Sequence, residues 1–412
     1  MNLVTDNKVD SEETTKRKIE FNFPLLIVRT QIFGKVFDRV GSLRISSSIS
    51  WIALVIVPVV AAIGLYLLCS SLLTLLWTSA ARDMTRELGL AVYLPLPGIN
   101  PILPILYGWL AIVCAIVIHE GAHGIIARNR GFNVKSSGLL FFLIIPIGAF
   151  VDVDEIQIAK SKAKDSLRVM AAGVAGNIVM ALVCILAVLL IVNGLTPVID
   201  GVYIYEVVEG MPADISGLLP GDIFISVDGI QISKYEILNN TFTSKSPGDT
   251  IQVTVARGKN WEETFSASIT LTESEGRAIM GVSLGDLLIE DRLDIYKTIN
   301  FETISIYMVP PSLAPGLVPF SDSLIPFFAH PLGSEWHVYA NVFFWIWFIN
   351  VNIAVFNALP IYPLDGGRMF DISLKSILGR KISEKNLSKI TYSVTITLAC
   401  VLILIAVIPY LF

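Results

Sequence analysis

The chain has 412 residues, of which 54% are hydrophobic and 16% are charged, and its mean hydropathy is +0.68. This composition excludes an ordinary water-soluble protein and indicates a membrane protein with several spans. Thirty Lys and Arg against 35 Asp and Glu give a formal net charge of −5, so no nucleic-acid partner is expected.

Five apolar runs are long enough to cross a bilayer as helices, which takes about 20 residues each. They cover residues 49–77, 104–129, 169–193, 338–358 and 390–411. A further apolar stretch at 139–153 is too short to cross and contains Pro146 and Gly148. It predicts a membrane-embedded hairpin, which must be shielded by protein or by a watery cavity.

Lys and Arg are concentrated in three segments: residues 1–48, the loop after the second span, which is predicted to include Arg168, and the loop after the fourth span. Basic loops stay on the cytoplasmic side of a membrane. The N-terminus is therefore predicted to be cytoplasmic, and residues between the third and fourth spans are predicted to lie outside. The plasma membrane is the expected location.

The segment between the third and fourth spans changes in character. Residues 198–285 contain short alternating runs separated by Gly, Pro, Asp and Ser, which is typical of strands in a small soluble domain. The following apolar residues are interrupted by six prolines, which oppose a straight span and favour an interfacial segment.

The predicted fold class is thus a mainly α-helical polytopic membrane protein with about five spans, one membrane-embedded hairpin and an inserted small β-rich domain. The expected parts are a cytoplasmic N-terminal segment, a first membrane part, the β-rich domain, an interfacial linker and a second membrane part. Their boundaries are 1–48, 49–197, 198–285, 286–337 and 338–412.

The second span contains the pattern H-E-x-x-H, from His119 through Glu120 to His123. On a helix the two histidines lie one turn apart on one face and can bind one Zn²⁺, and the glutamate beside them can take a proton from a water molecule. Three ionisable groups so close together in an apolar span are costly without a function. One bound zinc ion is therefore expected.

A third ligand is expected because zinc hydrolases use three protein ligands and keep one position open. Asp365 follows the fourth span in the segment from Asn357 to Arg368, where prolines and glycines let the chain turn, and its carboxylate is predicted at the depth of the histidines. Glu155 is the nearest alternative carboxylate.

These motifs resemble the site-2 protease family of intramembrane zinc metalloproteases, whose hallmarks are HExxH in one span and NxxPxxxLDG in a later one. Residues 172–177 are similar to the family's AGPxxN element, with Val174 in place of Pro. Residues 146–151 are similar to its PxGGFV hairpin, with Ala149 in place of Gly.

The resemblance implies cleavage of peptide bonds in or near the transmembrane segments of single-span membrane proteins, as part of regulated intramembrane proteolysis. It implies that zinc is held by His119, His123 and Asp365 and that Glu120 is the general base. The expected substrate contacts are Asn357, Asn177, Gly148 and Phe150.

The β-rich segment resembles a PDZ domain, which recruits or screens substrates by binding peptide C-termini. In a PDZ domain one loop receives the peptide carboxylate on its backbone N–H groups. The residues here that resemble this loop are Gly201, Val202, Tyr203 and Ile204.

Two alternatives compete with this interpretation. A prenyl-protein-type membrane metalloprotease would take its third ligand from another cytoplasmic segment, where Glu155 is available. A zinc-dependent scaffold or transport protein without protease activity would use the outer domain to bind tails, but it has no evident use for Glu120 beside the metal.

Overall fold

The computed structural model describes residues 19–411 apart from 31–32, 144, 200, 259–260, 275, 287–292, 294–295, 299 and 301–302. The helices of this part are α1 Gly34–Gly41, α2 Arg44–Trp77, α3 Ser79–Leu88, α4 Ile105–Asn129, α5 Glu155–Lys160, α6 Ala163–Asn193, α7 Pro212–Ile215, α8 Tyr235–Thr243, α9 Ile304–Tyr307, α10 Trp336–Ala358, α11 Asp365–Leu378 and α12 Glu384–Val407.

The strands are β1 Ile19–Asn22, β2 Leu25–Thr30, β3 Val134–Phe142, β4 Ile145–Val153, β5 Thr196–Pro197, β6 Val202–Val207, β7 Ile223–Val227, β8 Ile230–Gln231, β9 Thr250–Arg257, β10 Glu263–Thr270, β11 Thr272–Ser274, β12 Arg277–Ile279, β13 Val282–Asp286 and β14 Phe328–Ala329. Contacts divide the chain into two units, the first from Leu110–Met180, Ile349–Phe412 and the segment up to Gly89, the second from Leu90–Trp109 and Ala181–Phe348.

Five helices, α2, α4, α6, α10 and α12, are long and apolar enough to cross a membrane, which confirms the predicted fold class. Helix α6 starts earlier than its apolar run predicts, at Ala163. Arg168 therefore lies inside a helix and is buried, and its prediction as a loop residue was wrong. The helix continues through this charged sequence, where Asp165 pairs with Arg130 and Arg168 bonds to serines of α2.

The first unit contains a four-stranded antiparallel sheet in the order β1-β2-β3-β4. The predicted hairpin at 139–153 forms β3 and β4, with Phe150 opposite Gly138. Strands β1 and β2 extend this sheet, with Leu25 opposite Phe142, although the sequence predicts only a cytoplasmic segment there. Residues 1–18 of that segment lie outside the described residues. The sheet leaves β4 as an edge strand.

Small residues dominate the core of the first unit. Ala53 of α2, Ala127 of α4, Ala171 of α6 and Ala354 of α10 are fully or almost fully buried in one cluster. Small side chains let membrane helices approach closely, which makes van der Waals packing and polar contacts between them possible. This packing brings the helices that carry the sequence motifs together.

The second unit contains the β-rich domain, whose main sheet has the order β10-β9-β7-β6-β13, with β8 paired to β7. Its core is an apolar cluster that includes Val202, Ile204, Leu238, Val253 and Met280. Strand β6 is interior and β13 is an edge strand. In the linker, β14 pairs with β5, and its described residues form only short elements.

Candidate metal centre

The structure brings the predicted ligands together from two separate helices. His119 and His123 lie one turn apart on α4, and Asp365 is the first residue of α11. One ligand atom from each of the three residues lies within 4.8 Å of the others. Among the described residues, these three form the group of His, Cys, Asp or Glu side chains that could hold a metal ion. Glu155 does not belong to this group.

The distances between these atoms suit a zinc ion. The Nε2 atoms of His119 and His123 are 3.3 Å apart, and each lies 3.1 Å from Oδ2 of Asp365. Four-coordinate zinc with bonds of about 2.0–2.1 Å has ligands roughly 3.3 Å apart. The three donors are also of the nitrogen and oxygen type that zinc accepts.

The hydrogen bonding of His123 supports a cation at this point. Its Nδ1 lies 2.8 Å from the carbonyl oxygen of Val169, which can only accept, so Nδ1 carries the hydrogen. In the neutral ring, Nε2 then has a lone pair directed toward the Asp365 carboxylate. Two such acceptors repel each other unless a cation or a proton lies between them.

Helix α6 packs directly against the two imidazoles at Gly173. A Cβ atom built on Gly173 would lie 2.5 Å from Nε2 of His119 and 2.5 Å from Nε2 of His123. No side chain fits in this space. The glycine therefore lets α6 approach closely enough for Val169 to accept the hydrogen bond from His123.

A close turn between α10 and α11 positions Asp365. A Cβ atom on Gly366 would lie 2.1 Å from the carbonyl oxygen of Ala358, and one on Gly367 would lie 2.3 Å from the carbonyl carbon of Ile361. The two glycines let the start of α11 fold back against the end of α10. This fold-back directs the carboxylate toward α4.

Glu120 lies beside the predicted metal ligands and contacts the edge of the sheet. Its Oε2 accepts a hydrogen bond of 3.1 Å from the backbone N–H of Val151 in β4. Because this N–H points away from β3, it belongs to the open edge of the sheet. A carboxylate next to a metal, in reach of an edge strand, can transfer a proton during hydrolysis of an extended peptide.

A cavity of about 360 Å³ opens at this centre. Its lining includes the three predicted ligands, Glu120, Val151, Asn357 and the exposed Glu155 at the start of α5. The predicted substrate residue Asn357 thus faces the same cavity as the ligands. The sequence did not predict the roles of Val151 and Val169, whose backbone groups bond to Glu120 and His123. Val151 is the last residue of the predicted hairpin element 146–151.

Three other predicted substrate residues do not line this cavity. Phe150 packs its ring against Gly138 and under the Arg29 guanidinium, 5.1 Å away. Gly148 lies near Leu140 within the sheet. Asn177 is fully buried in α6, and its amide has no hydrogen-bond partner among the described residues.

The predicted carboxylate loop, Gly201 to Ile204, is contradicted by the sheet order. Val202, Tyr203 and Ile204 belong to strand β6, which pairs with β13 on one side and with β7 on the other. Val202 and Ile204 are fully buried. An interior strand has no open edge for a peptide, so this prediction was wrong.

Comparisons with known proteins agree with these motifs. The sequence profile described as peptidase family M50 matches residues 107–309 and 325–403. An uncharacterized protein of Methanocaldococcus jannaschii is 25% identical, over 89% of this chain and 86% of its own. The chloroplastic membrane metalloprotease ARASP of Arabidopsis thaliana is 24% identical, over 65% of this chain and 69% of its own.

Two further similarities cover parts of the chain. The zinc metalloprotease RasP of Shouchella clausii is 24% identical, over 49% of each chain. Among solved structures, the PDZ domain of the SdrC-like protein of Listeria monocytogenes is 27% identical and covers 23% of this chain and 94% of its own, with a TM-score of 0.20.

Proposed function

The chain belongs to peptidase family M50, and we propose that it cleaves peptide bonds in or near the transmembrane segments of single-span membrane proteins. It is a multi-pass membrane zinc metalloprotease. One observation carries the assignment of the site: two histidines of α4 and the first residue of α11 converge within 4.8 Å. Both matched segments contribute to this group.

In this proposal His119, His123 and Asp365 hold one zinc ion. Bound zinc would supply Lewis-acid activation of a water molecule and of the scissile carbonyl. The Val169 carbonyl keeps His123 in the tautomer whose Nε2 can bind metal. The alternative third ligand, Glu155, has a side chain that is 82% exposed and contacts Arg368 at 3.8 Å.

Glu120 is the proposed general base. It follows His119 directly and lies within one helical turn of His123. Its side chain lines the same cavity as the two histidines. It would take a proton from the attacking water and deliver it to the amine of the leaving peptide. The hydrogen bond from Val151 holds its carboxylate at the edge of the sheet before substrate arrives.

Strand β4 is the proposed platform for the substrate. A transmembrane helix hides its carbonyl groups in internal hydrogen bonds, so it must unwind before hydrolysis. An unwound segment can add to the open edge of β4 as an extra strand, because edge strands offer unpaired backbone groups. Val151 and Val153 of this strand line the cavity, and Asn357 faces it from the end of α10.

The inserted domain is proposed to act as a PDZ-like module for peptide C-termini. Its main sheet has two edge strands, β10 and β13, and β13 follows Ile279, Met280 and Gly281. Helix α8 packs into the same core as Met280 through Leu238. A peptide would add to β13 and end near Gly281, which is the mode that an edge strand permits.

The basic segments support an orientation with the N-terminus in the cytoplasm and the inserted domain outside. The plasma membrane is the proposed location. Neither alternative function is favoured: a scaffold or transport protein leaves Glu120 without a role, and a prenyl-protein-type enzyme lacks its ligand because Glu155 does not join the metal group.

The test uses purified protein in liposomes with a single-span substrate whose cleavage products are identified by mass spectrometry. Wild type is expected to cut within or next to the transmembrane segment. Glu120→Gln is expected to retain zinc and to lose cleavage, because the amide cannot accept the proton. Undiminished cleavage by this variant would remove Glu120 as the base, and cuts restricted to soluble loops would contradict intramembrane proteolysis.

A further inference from the structure

Arg168 is a buried cation at the start of α6, and its side chain reaches α2. The residue is 2% exposed. Its guanidinium donates hydrogen bonds to Oγ of Ser50 at 2.6 and 2.9 Å, to Oγ of Ser47 at 2.9 Å and to the carbonyl oxygen of Ser47 at 3.0 Å. It also lies over the Trp51 ring, 4.8 Å from its centre. These three partners occupy one face of α2.

All of these partners are neutral. Among the described residues, Arg168 has no carboxylate oxygen within 4.0 Å, and Asp165, one turn earlier, forms its 2.7 Å ion pair with Arg130 instead. A buried charge in a membrane helix is costly, and such residues are retained where they serve a function. An apolar side chain would fill the same gap between α2 and α6 at lower cost, so packing alone does not account for an arginine.

The neighbouring residues of α6 contact the metal ligands. Val169, next in sequence, accepts the hydrogen bond from Nδ1 of His123. Gly173, just over one turn later, touches the rings of both histidines. Helix α6 thus lies between α2, to which Arg168 is bonded, and α4, whose histidines it orients.

The glycine residues that α6 packs against α4 do not by themselves fix the position of α6 along α4. Gly173 and Gly176 let the helices approach closely, but glycine has no side chain that resists sliding or rotation. The planar guanidinium, in contrast, bonds to both Ser47 and Ser50, and such a fork is specific in direction. A fork of this kind constrains both the height and the rotation of the helix that carries it.

We propose that Arg168 is a positioning residue for the metal centre: by bonding Ser47 and Ser50 it fixes the Val169 carbonyl and Gly173 against the two histidines. This inference rests on the proposed function of the site. Metal–ligand distances keep within about 0.2 Å of their standard values, and loss of the groups that orient a ligand typically lowers metal affinity 10–100-fold.

The experiment uses the full chain, purified as wild type, Arg168→Met, Arg168→Lys and the double variant Ser47→Ala/Ser50→Ala. The matched control is Arg39→Met, which removes an exposed arginine of α1 with the same change of charge. Zinc affinity is measured by competition with a chelator, the absorption spectrum of the cobalt-substituted protein reports ligand geometry, and thermal unfolding reports folding.

The expected result is that Arg168→Met and the double serine variant bind zinc about 10-fold more weakly and shift the cobalt spectrum. Arg168→Lys should recover part of the loss, because an ammonium can still bond to these oxygens, and Arg39→Met should match wild type. Should either Arg168→Met or the double variant fail to fold, the other decides.

Wild-type zinc affinity and an unchanged cobalt spectrum in the folded variants would overturn the inference and leave Arg168 a role in stability only, while the proposed function would stand. A wild-type protein that binds neither metal would overturn the proposed function itself.

Discussion

The close contact between α6 and the proposed metal ligands leads to a direct test at Gly173. In Gly173→Ala, the added methyl would lie 2.5 Å from Nε2 of both His119 and His123. Carbon and nitrogen atoms in ordinary contact are about 3.5 Å apart, so the rings or the helix must move by roughly 1 Å. That shift is several times the roughly 0.2 Å within which metal–ligand distances vary.

We therefore expect Gly173→Ala to lower zinc affinity by at least about 100-fold, with a cost in folding stability of about 1–3 kcal/mol from overpacking. The assay is zinc competition with a chelator on detergent-purified protein, together with thermal unfolding of the metal-free form. Measuring both separates loss of the site from loss of the fold.

The matched control is Gly121→Ala, the same substitution within the HExxH segment of α4. A Cβ atom there meets nothing within 4 Å, so zinc affinity should not change. Stability should rise slightly, by about 0.5–1 kcal/mol, because alanine favours a helix over glycine. Equal zinc affinity in Gly173→Ala and wild type would refute the geometry described for α6 and the two histidines.

Three further predictions follow from other contacts. Asp365→Asn should lower zinc occupancy, measured by metal analysis after dialysis against a chelator, and unchanged occupancy would remove Asp365 from the ligands. Val151→Pro deletes the N–H that binds Glu120 but no bond to β3, so cleavage should fall about tenfold while zinc is retained. A wild-type cleavage rate would show that this hydrogen bond does not position the base. Asp222 is 2% exposed and pairs with Arg257 at 2.5 Å. Asp222→Ala should therefore destabilise the inserted domain by about 3 kcal/mol, measured by denaturant unfolding, with zinc content unchanged. A smaller loss of stability would show that the pair contributes little.

The five spans and the central motif residues could be predicted from the sequence because their signals are local. A run of apolar residues reports its own length, and the spacing of His119 and His123 reports one helix face. Asp365 required one more step, the depth at which a broken helix end lies in the membrane. The structure brings it to the histidines through close packing at Gly366 and Gly367.

The remaining features depend on contacts between distant parts of the chain. Strand β2 pairs with residues more than a hundred positions later, and no short pattern reveals that partner. The stretch from Gly201 to Ile204 has the composition of a peptide-binding strand, but only the sheet order shows that its strand β6 is interior and that β13 is an edge. Val169 and Val151 act through backbone atoms, which other residue types also have, so their identity as valine does not reveal these roles.

Arg168 shows how charge counting misplaces a residue. Basic side chains before an apolar run are ordinarily counted as loop, and this rule correctly finds the end of many spans. Here α6 starts at Ala163, and Arg168 has hydrogen-bond partners on α2, so the helix extends into the charged sequence. The partner residues Ser47 and Ser50 carry no signal of their own.

The central claim is that one zinc ion is bound by His119, His123 and Asp365 between α4 and α11. Zinc-edge X-ray absorption on the purified wild-type protein tests it most directly. The account predicts one zinc per chain, a shell of nitrogen and oxygen atoms at about 2.0–2.1 Å and the scattering pattern of two imidazoles. A sulfur shell at about 2.3 Å, the scattering of a single imidazole, or no stoichiometric zinc would contradict it.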